Sequence, residues 1–169
     1  MSNTEIALPT VAPANSVEND ILNLGSDRQG GLYSSLIGDD EETNLAVFDA
    51  TNESEPIADN LGKTINLKNI IVQAVEMENE TTGEVETQPR VIFLDADGTA
   101  YHAISKPMLS TVKNLFAAIG QPHQWSGPKA VTVVEERSRA GRRFYKIVRV
   151  KGADLNTVTV KETPAKAGK

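Results

Sequence analysis

Residues 91–104, with the sequence VIFLDADGTAYHAI, contain two apolar runs on either side of a short polar segment. Val91–Leu94 and Thr99–Ile104 are rich in β-branched and aromatic residues, which favour strands. Asp97-Gly98 between them is a strong signal for a hairpin turn, because glycine reaches the backbone conformations that tight turns need. The stretch therefore predicts a β-hairpin in a mainly β chain.

The same residues match the D-x-D-G-T signature of haloacid-dehalogenase-type phosphatases, in which Asp95 would attack phosphorus and Asp97 would protonate the leaving group. Three features oppose this function. Only 70 residues follow Thr99, too few for the remaining parallel strands and crossover helices. No later acidic pair follows a strand to complete a metal site, and the residues after Thr99 continue as a strand. We therefore expect a turn here, no catalytic residues and no enzyme, and phosphatase activity is the third hypothesis.

Further strands are predicted on both sides of this hairpin. They are Gly31–Ile37, Thr43–Asp49, Thr64–Met77, Ala130–Glu136 and Arg142–Val150. The polar segment Glu78–Gln88 is predicted to be a loop, and within Thr64–Met77 one face is expected to carry Ile65, Leu67, Ile71, Val75 and Met77.

One helix is predicted, over Pro107–Ile119, with proline in its first turn and Gly120 after its end. A helix before the last two strands is the order of a five-stranded OB-type β-barrel, which is the fold class that we expect. The periodicity fits an open α+β sheet almost as well.

The two ends of the chain differ in composition and charge. Residues 1–28 mix proline, asparagine, serine and acids, and we expect a disordered acidic arm there. Residues 29–161 form the predicted domain, and 162–169 a disordered basic tail. Residues 1–60 carry a net charge of −11, residues 61–130 one of −1, and residues 131–169 one of +6. Such asymmetry favours a nucleic-acid partner at the basic end.

Several classes of protein are excluded or disfavoured by composition. The chain has no cysteine, so disulfides and thiolate metal sites are excluded, and an intracellular setting is mildly favoured. Neither a membrane span nor a secretory signal is predicted. The two histidines lack metal-ligand spacing, and we expect no metal and no cofactor.

The last predicted hairpin carries the strongest functional signal, a dense set of cations interleaved with Phe144 and Tyr145. The cations are Arg137, Arg139, Arg142, Arg143, Lys146, Arg149 and Lys151. Cations that follow a phosphate backbone, next to aromatic rings that stack on bases, are what single-strand binding requires. The alternative is an edge strand whose charges prevent aggregation. Which face of the strand meets a ligand stays open, because Phe144 and Val148 must fill the core if Tyr145 does not.

Other candidate DNA-binding residues lie elsewhere in the chain. They are Arg90, Phe93, Tyr101, Lys106 and Trp125. Trp125 would either stack on a base or cap the barrel, and capping is the favoured interpretation.

The stretch from Val91 to Val150 resembles the single-stranded DNA-binding proteins of protein-primed Bacillus phages. The specific part is D-G-x-x-Y-x-A-I-S-K, which begins at Asp97-Gly98 and ends at Ser105-Lys106. A weaker match covers Asn44–Ile71. The resemblance implies an OB fold, cooperative or quasi-cooperative coating of displaced strands, no chemistry, and base stacking by Tyr101. Gln73–Gly83 departs from the pattern, because relatives carry aromatic residues there.

From these observations we expect sequence-independent binding of single-stranded DNA during phage replication, in the cytoplasm of the infected host. Phage replication proteins, contacted through the acidic arm, are a further expected partner. The alternative is a phage structural or protein-interaction module on a β-barrel with no nucleic-acid ligand.

Overall fold

The computed structural model describes residues 32–150. The predicted acidic arm, the basic tail and Lys151 lie outside these residues. The described part contains seven strands and two α-helices, in the order β1 (Leu32–Ser34), α1 (Glu41–Glu53), β2 (Glu55–Pro56), β3 (Thr64–Glu78), β4 (Val85–Asp95), β5 (Ala100–Ile104), α2 (Lys106–Ile119), β6 (Lys129–Arg137) and β7 (Arg143–Arg149). Neither helix is long and apolar enough to cross a membrane.

All seven strands belong to one curled, half-barrel sheet with the order β2-β5-β4-β3-β6-β7, and β1 pairs with β3 off this path. β2 runs parallel to β5, while all other pairs are antiparallel. The expected five strands are therefore too few for the described residues. The two further strands are short: β1, of three residues, lies within the predicted strand Gly31–Ile37, and β2, of two residues, was not predicted.

The main hydrophobic core lies on one face of the sheet and is covered by α2. This helix lies against β4 and β7 and buries Met108, Leu109 and Val112 in a core to which β1 and β3–β7 all contribute. Ser105 caps its start by accepting a hydrogen bond from the backbone N–H of Met108, and Gly120 ends it with a positive φ of 76°. The predicted helix is confirmed. It could be predicted because its apolar stripe, its N-cap and its terminating glycine all lie within one short segment of sequence.

A β-bulge between Leu67 and Asn69 changes which side chains of β3 face the core. Ile65 and Leu67 point into the main core before the bulge, and Ile70 and Val72 after it. Ile71 lies in a second cluster on the opposite face of the sheet. The predicted single face was wrong because the extra residue of a bulge reverses the alternation of side chains.

The predicted strand Thr43–Asp49 was also wrong, since these residues belong to α1. Asp40 caps the helix through its carboxylate, which accepts a hydrogen bond of 2.8 Å from the backbone N–H of Thr43. Glu41 and Glu42 occupy the first turn, where the helix dipole favours negative charge. Ala50 is buried and Val47 half-buried against the second cluster. These local signals decide the conformation over the β-like composition of the segment.

The β3–β4 hairpin is longer than predicted, because β4 begins at Val85 and only residues 79–84 form its loop. The turn at Asp95–Gly98 is confirmed: Gly98 donates a backbone hydrogen bond to Asp95 and has a φ of 93°. The last two strands are confirmed within one residue at each end.

Candidate nucleic-acid interface

The β6–β7 hairpin forms one edge of the sheet and brings the predicted cations together. Its register pairs Val131 with Arg149 at one end and Arg137 with Arg143 at the other. Ser138 closes the tip by donating a backbone hydrogen bond of 2.8 Å to Arg142, and Gly141 adopts a φ of 77°. β7 is an edge strand, since no strand lies beyond it within residues 32–150.

Six of the predicted cations on this hairpin lie within residues 32–150, and two of these six are paired with acids. Arg143 lies 3.9 Å from Glu135, and Lys146 forms an ion pair with Glu136. Exposed ion pairs of this kind contribute little energy and break easily. In the described part of the chain, no salt bridge engages Arg137, Arg139, Arg142 or Arg149. The hairpin therefore presents unpaired guanidinium groups, which suit phosphate oxygens because of their planar array of donors.

The alternation along β7 settles which aromatic ring faces the core. Ile147 is buried in the main core, and Tyr145, two residues earlier, is half-buried against it. Phe144 and Val148 lie on the opposite face and are half-exposed. Both aromatic rings thus keep part of their surface accessible next to the cations.

Two of the candidate stacking residues are inside the protein. Phe93 and Tyr101 are 0% exposed and pack in the main core. A ring with no accessible face offers no platform for a base, so this structure does not present either of them to a ligand. They face inward because they are directly paired neighbours on β4 and β5, on the side that α2 covers.

Lys63, which the sequence analysis did not single out, lies over Tyr101. Its ammonium group donates a hydrogen bond to the Tyr101 hydroxyl and lies 4.7 Å from the ring centroid. The hydrogen bond to Tyr101 is the main cause that raises the pKa of Lys63. No sequence signal marks this contact, because the two residues are 38 positions apart.

Arg90 lies on a different element from the basic hairpin, and its side chain makes a structural contact. Its guanidinium donates hydrogen bonds of 2.9 Å to the Thr51 carbonyl and 2.8 Å to the Ser54 hydroxyl, at the end of α1. His102 joins the same cluster, with Nδ1 3.1 Å from the Ser54 Oγ. Burial, together with the nearby charge of Arg90, lowers the pKa of His102.

Trp125 and Lys106 lie on other elements than the hairpin. Trp125 is half-buried against the main core, and its ring N–H donates a hydrogen bond of 2.9 Å to the Gly120 carbonyl. This placement agrees with capping, although the Lys129 ammonium lies 6.0 Å from the ring centroid. Lys106 is exposed in the first turn of α2.

The two aspartates of the D-x-D-G-T stretch hold the turn together. Asp95 is buried and accepts backbone hydrogen bonds from Asn66 and Asp97, and burial raises its pKa. Asp97 accepts a hydrogen bond of 2.8 Å from the backbone N–H of Thr99, which lowers its pKa. Among the described residues, no three histidine or acidic side chains are grouped as metal ligands.

A family model for phage single-stranded DNA-binding proteins matches residues 27–148. A search of curated proteins and a search of solved structures found no match. The matched range covers well over half of the chain and includes both helices, the whole of six strands and most of β7. The chain therefore belongs to the family of phage single-stranded DNA-binding proteins.

Proposed function

We propose that this protein binds single-stranded DNA without sequence preference and coats the strands that are displaced during phage DNA replication. The observation that carries the proposal is the set of unpaired arginines on the β6–β7 hairpin of a chain from this family. Sequence independence follows from the chemistry, since guanidinium groups contact phosphates and every base has a face for stacking.

The hairpin supplies both kinds of contact. Arg137, Arg139 and Arg142 are exposed at or near its tip, and Arg149 is exposed at the far end of β7. Tyr145 and Phe144 lie between them with accessible ring surface. We assign phosphate binding to the arginines and stacking to Tyr145, at about 1–3 kcal/mol for a stacked base. Lys146, Arg143 and Lys151 remain part of the proposed DNA site, whereas Phe93, Tyr101 and Arg90 are left out.

The order of elements supports an OB-type interpretation of the sheet. The five longer strands follow the order β5-β4-β3-β6-β7, and α2 comes between β5 and β6 in the chain. OB folds are partly open five-stranded barrels that bind oligonucleotides on one sheet face and through two hairpin loops. By this comparison the β6–β7 loop is one binding loop. The β3–β4 loop has the position of the second loop, but it carries glutamates at 80 and 84 and no cation, so we leave it out of the DNA site.

Two parts of the proposal concern the setting of the protein. A protein that coats displaced strands acts where the phage DNA is replicated, which is the cytoplasm of the infected bacterium. Phage replication proteins are its proposed protein partners, contacted through the acidic residues 1–28. If a chain lacking residues 1–28 bound a replication protein as tightly as the full chain did, this part of the proposal would be wrong.

Fluorescence anisotropy of a labelled dT oligonucleotide, measured at several salt concentrations, tests the DNA site. If about five phosphates are neutralised, log K falls against log salt with a slope near −3.5, or −0.7 for each phosphate. Arg139→Ala/Arg142→Ala is expected to weaken binding at low salt and to bring the slope about 1.4 closer to zero. Tyr145→Ala is expected to weaken binding with little change in slope.

The matched control is Glu80→Gln/Glu84→Gln, which removes two charges from the other long hairpin. It is expected to leave affinity unchanged or slightly higher. Retention of full affinity by the arginine variant would overturn the assignment of the site. If the full chain does not bind dT at low salt, the protein is instead the structural or interaction module.

A further inference from the structure

Helix α1 exposes the two largest apolar side chains that it contains. Leu45 is 52% and Phe48 62% accessible, while Ala50 is the one buried residue among its thirteen. Positions three apart lie on the same side of a helix, so these two side chains form a joint apolar surface. Exposed apolar surface that is rimmed by polar residues is typical of sites for protein–protein contact.

The surroundings of this apolar surface are strongly acidic. Residues 39–59 contain eight acids and neither lysine nor arginine. Glu41, Glu42 and Asp49 border the same shallow depression as Leu45. Within residues 32–150, no salt bridge engages any of these acids. A complementary partner therefore has to combine unpaired cations with accessible apolar surface.

The β6–β7 hairpin has this combination. Arg139 and Arg142 are exposed and form no salt bridge with any described residue, and the half-exposed Phe144 is close to them in sequence. In the described part of one chain, neither a hydrogen bond nor a salt bridge joins α1 to this hairpin. Leu45 and Phe48 on α1 and Arg139 and Arg142 on the hairpin are all exposed within residues 32–150.

We propose that α1 of one copy docks on the β6–β7 hairpin of a second copy of this chain. The contact joins two different surfaces, so it is head-to-tail and can continue from copy to copy. Carboxylates and phosphates bind guanidinium groups through the same hydrogen bonds. The docked helix and single-stranded DNA therefore exclude each other on the hairpin, and the contact belongs to the DNA-free protein. This exclusion rests on the proposed function, whereas the association of copies does not.

Sedimentation velocity of the full chain at low salt, over a range of concentrations, tests the association. The unmodified chain is expected to associate reversibly, and added salt to weaken the association, because surface charges are screened. Leu45→Ser/Phe48→Ser is expected to raise the apparent dissociation constant at least about tenfold, as the loss of two buried apolar groups requires. Glu80→Lys/Glu84→Lys, a control on the β3–β4 loop, is expected to associate like the unmodified chain. An unmodified chain that stays monomeric, or a Leu45→Ser/Phe48→Ser variant that associates as well as the unmodified chain, overturns the proposal.

Charge reversal identifies the partner surface. Glu42→Lys/Asp49→Lys and Arg139→Glu/Arg142→Glu are each expected to be monomeric, with circular dichroism confirming the fold. An equimolar mixture of the two variants is expected to associate again, since each supplies the charge that the other has lost. Failure of the mixture to associate overturns the assignment of the hairpin as the docking surface.

A dT oligonucleotide separates this inference from the proposed function. It is expected to dissociate the copies of the unmodified chain, while Leu45→Ser/Phe48→Ser binds a short oligonucleotide with unchanged affinity at concentrations below association. Association without dT binding contradicts the proposed function alone. Binding of dT by a chain that never associates contradicts the inference alone, and complexes that keep copies associated on DNA contradict the mutual exclusion.

Discussion

The two helices of this protein are almost equal in length but have opposite relations to the sheet. α2 has 14 residues and covers the main core with Met108, Leu109 and Val112. α1 has 13 residues, lies on the other face, and directs Leu45 and Phe48 to solvent. α2 is held by the burial of its apolar stripe, whereas α1 is held by a small buried contact at Ala50, by its N-cap and by the Arg90 hydrogen bonds at its end. The first kind can be recognised by periodicity, and the second mainly by its caps.

The largest expected difference between the helices is in core packing. Met108 is 0% exposed, so Met108→Ala removes buried contacts and leaves a cavity, at a cost of about 2–5 kcal/mol in the free energy of unfolding. Phe48→Ala on α1 is expected to change it by no more than about 0.5 kcal/mol. Urea denaturation measures both. Similar values for the two variants would contradict the contrast.

A smaller effect is expected where α1 is fastened to the sheet. Arg90→Met removes both guanidinium hydrogen bonds to the end of α1, and bonds from a charged donor contribute about 1.5–3 kcal/mol. The variant is expected to lose stability in urea while keeping the slope of log K against log salt for dT binding. Arg139→Met is expected to do the reverse. A changed salt slope in Arg90→Met would indicate that Arg90 contacts the DNA.

Removal of the N-caps is expected to have a smaller effect on stability, and a different one in each helix. Ser105→Ala removes the N-cap of α2 and is expected to cost about 1 kcal/mol of global stability. Asp40→Ala removes the N-cap of α1. Local unfolding of this helix exposes little of the core, because Ala50 is its one buried residue. We expect its effect in hydrogen exchange, as faster exchange of the first amides of α1 at nearly unchanged global stability. Equal global losses from the two variants would show that α1 unfolds only together with the core.

The smallest effect is a pH dependence at the α1 anchor. Burial and the charge of Arg90 lower the pKa of His102, so the folded protein binds a proton less readily than the unfolded chain. The contribution of neutral His102 is complete above its ordinary pKa of 6.5 and is lost as the pH falls below that value. The urea midpoint is expected to decrease more between pH 7.5 and 5.5 in the unmodified chain than in His102→Gln. Identical decreases would contradict this role.

Features that depend on neighbouring residues can be predicted from the sequence alone. Helix α2, the Asp97-Gly98 turn and the basic β6–β7 hairpin were all predicted, because apolar spacing, caps, turn residues and charge density are local properties. The signals for α1 were also present, in Asp40 and the two glutamates after it. They were outweighed by the strand-like composition of Thr43–Asp49, which has the same apolar residues as a half-buried strand.

Which side chains are accessible depends instead on contacts between distant parts of the chain. Phe93 and Tyr101 became core residues because α2 covers their side of the sheet, and a one-residue bulge near Lys68 reversed the faces of β3. Arg90 donates its hydrogen bonds to the end of α1, 36 to 39 positions away in sequence. Burial and pairing of this kind arise between residues distant in sequence, and no local pattern specifies them.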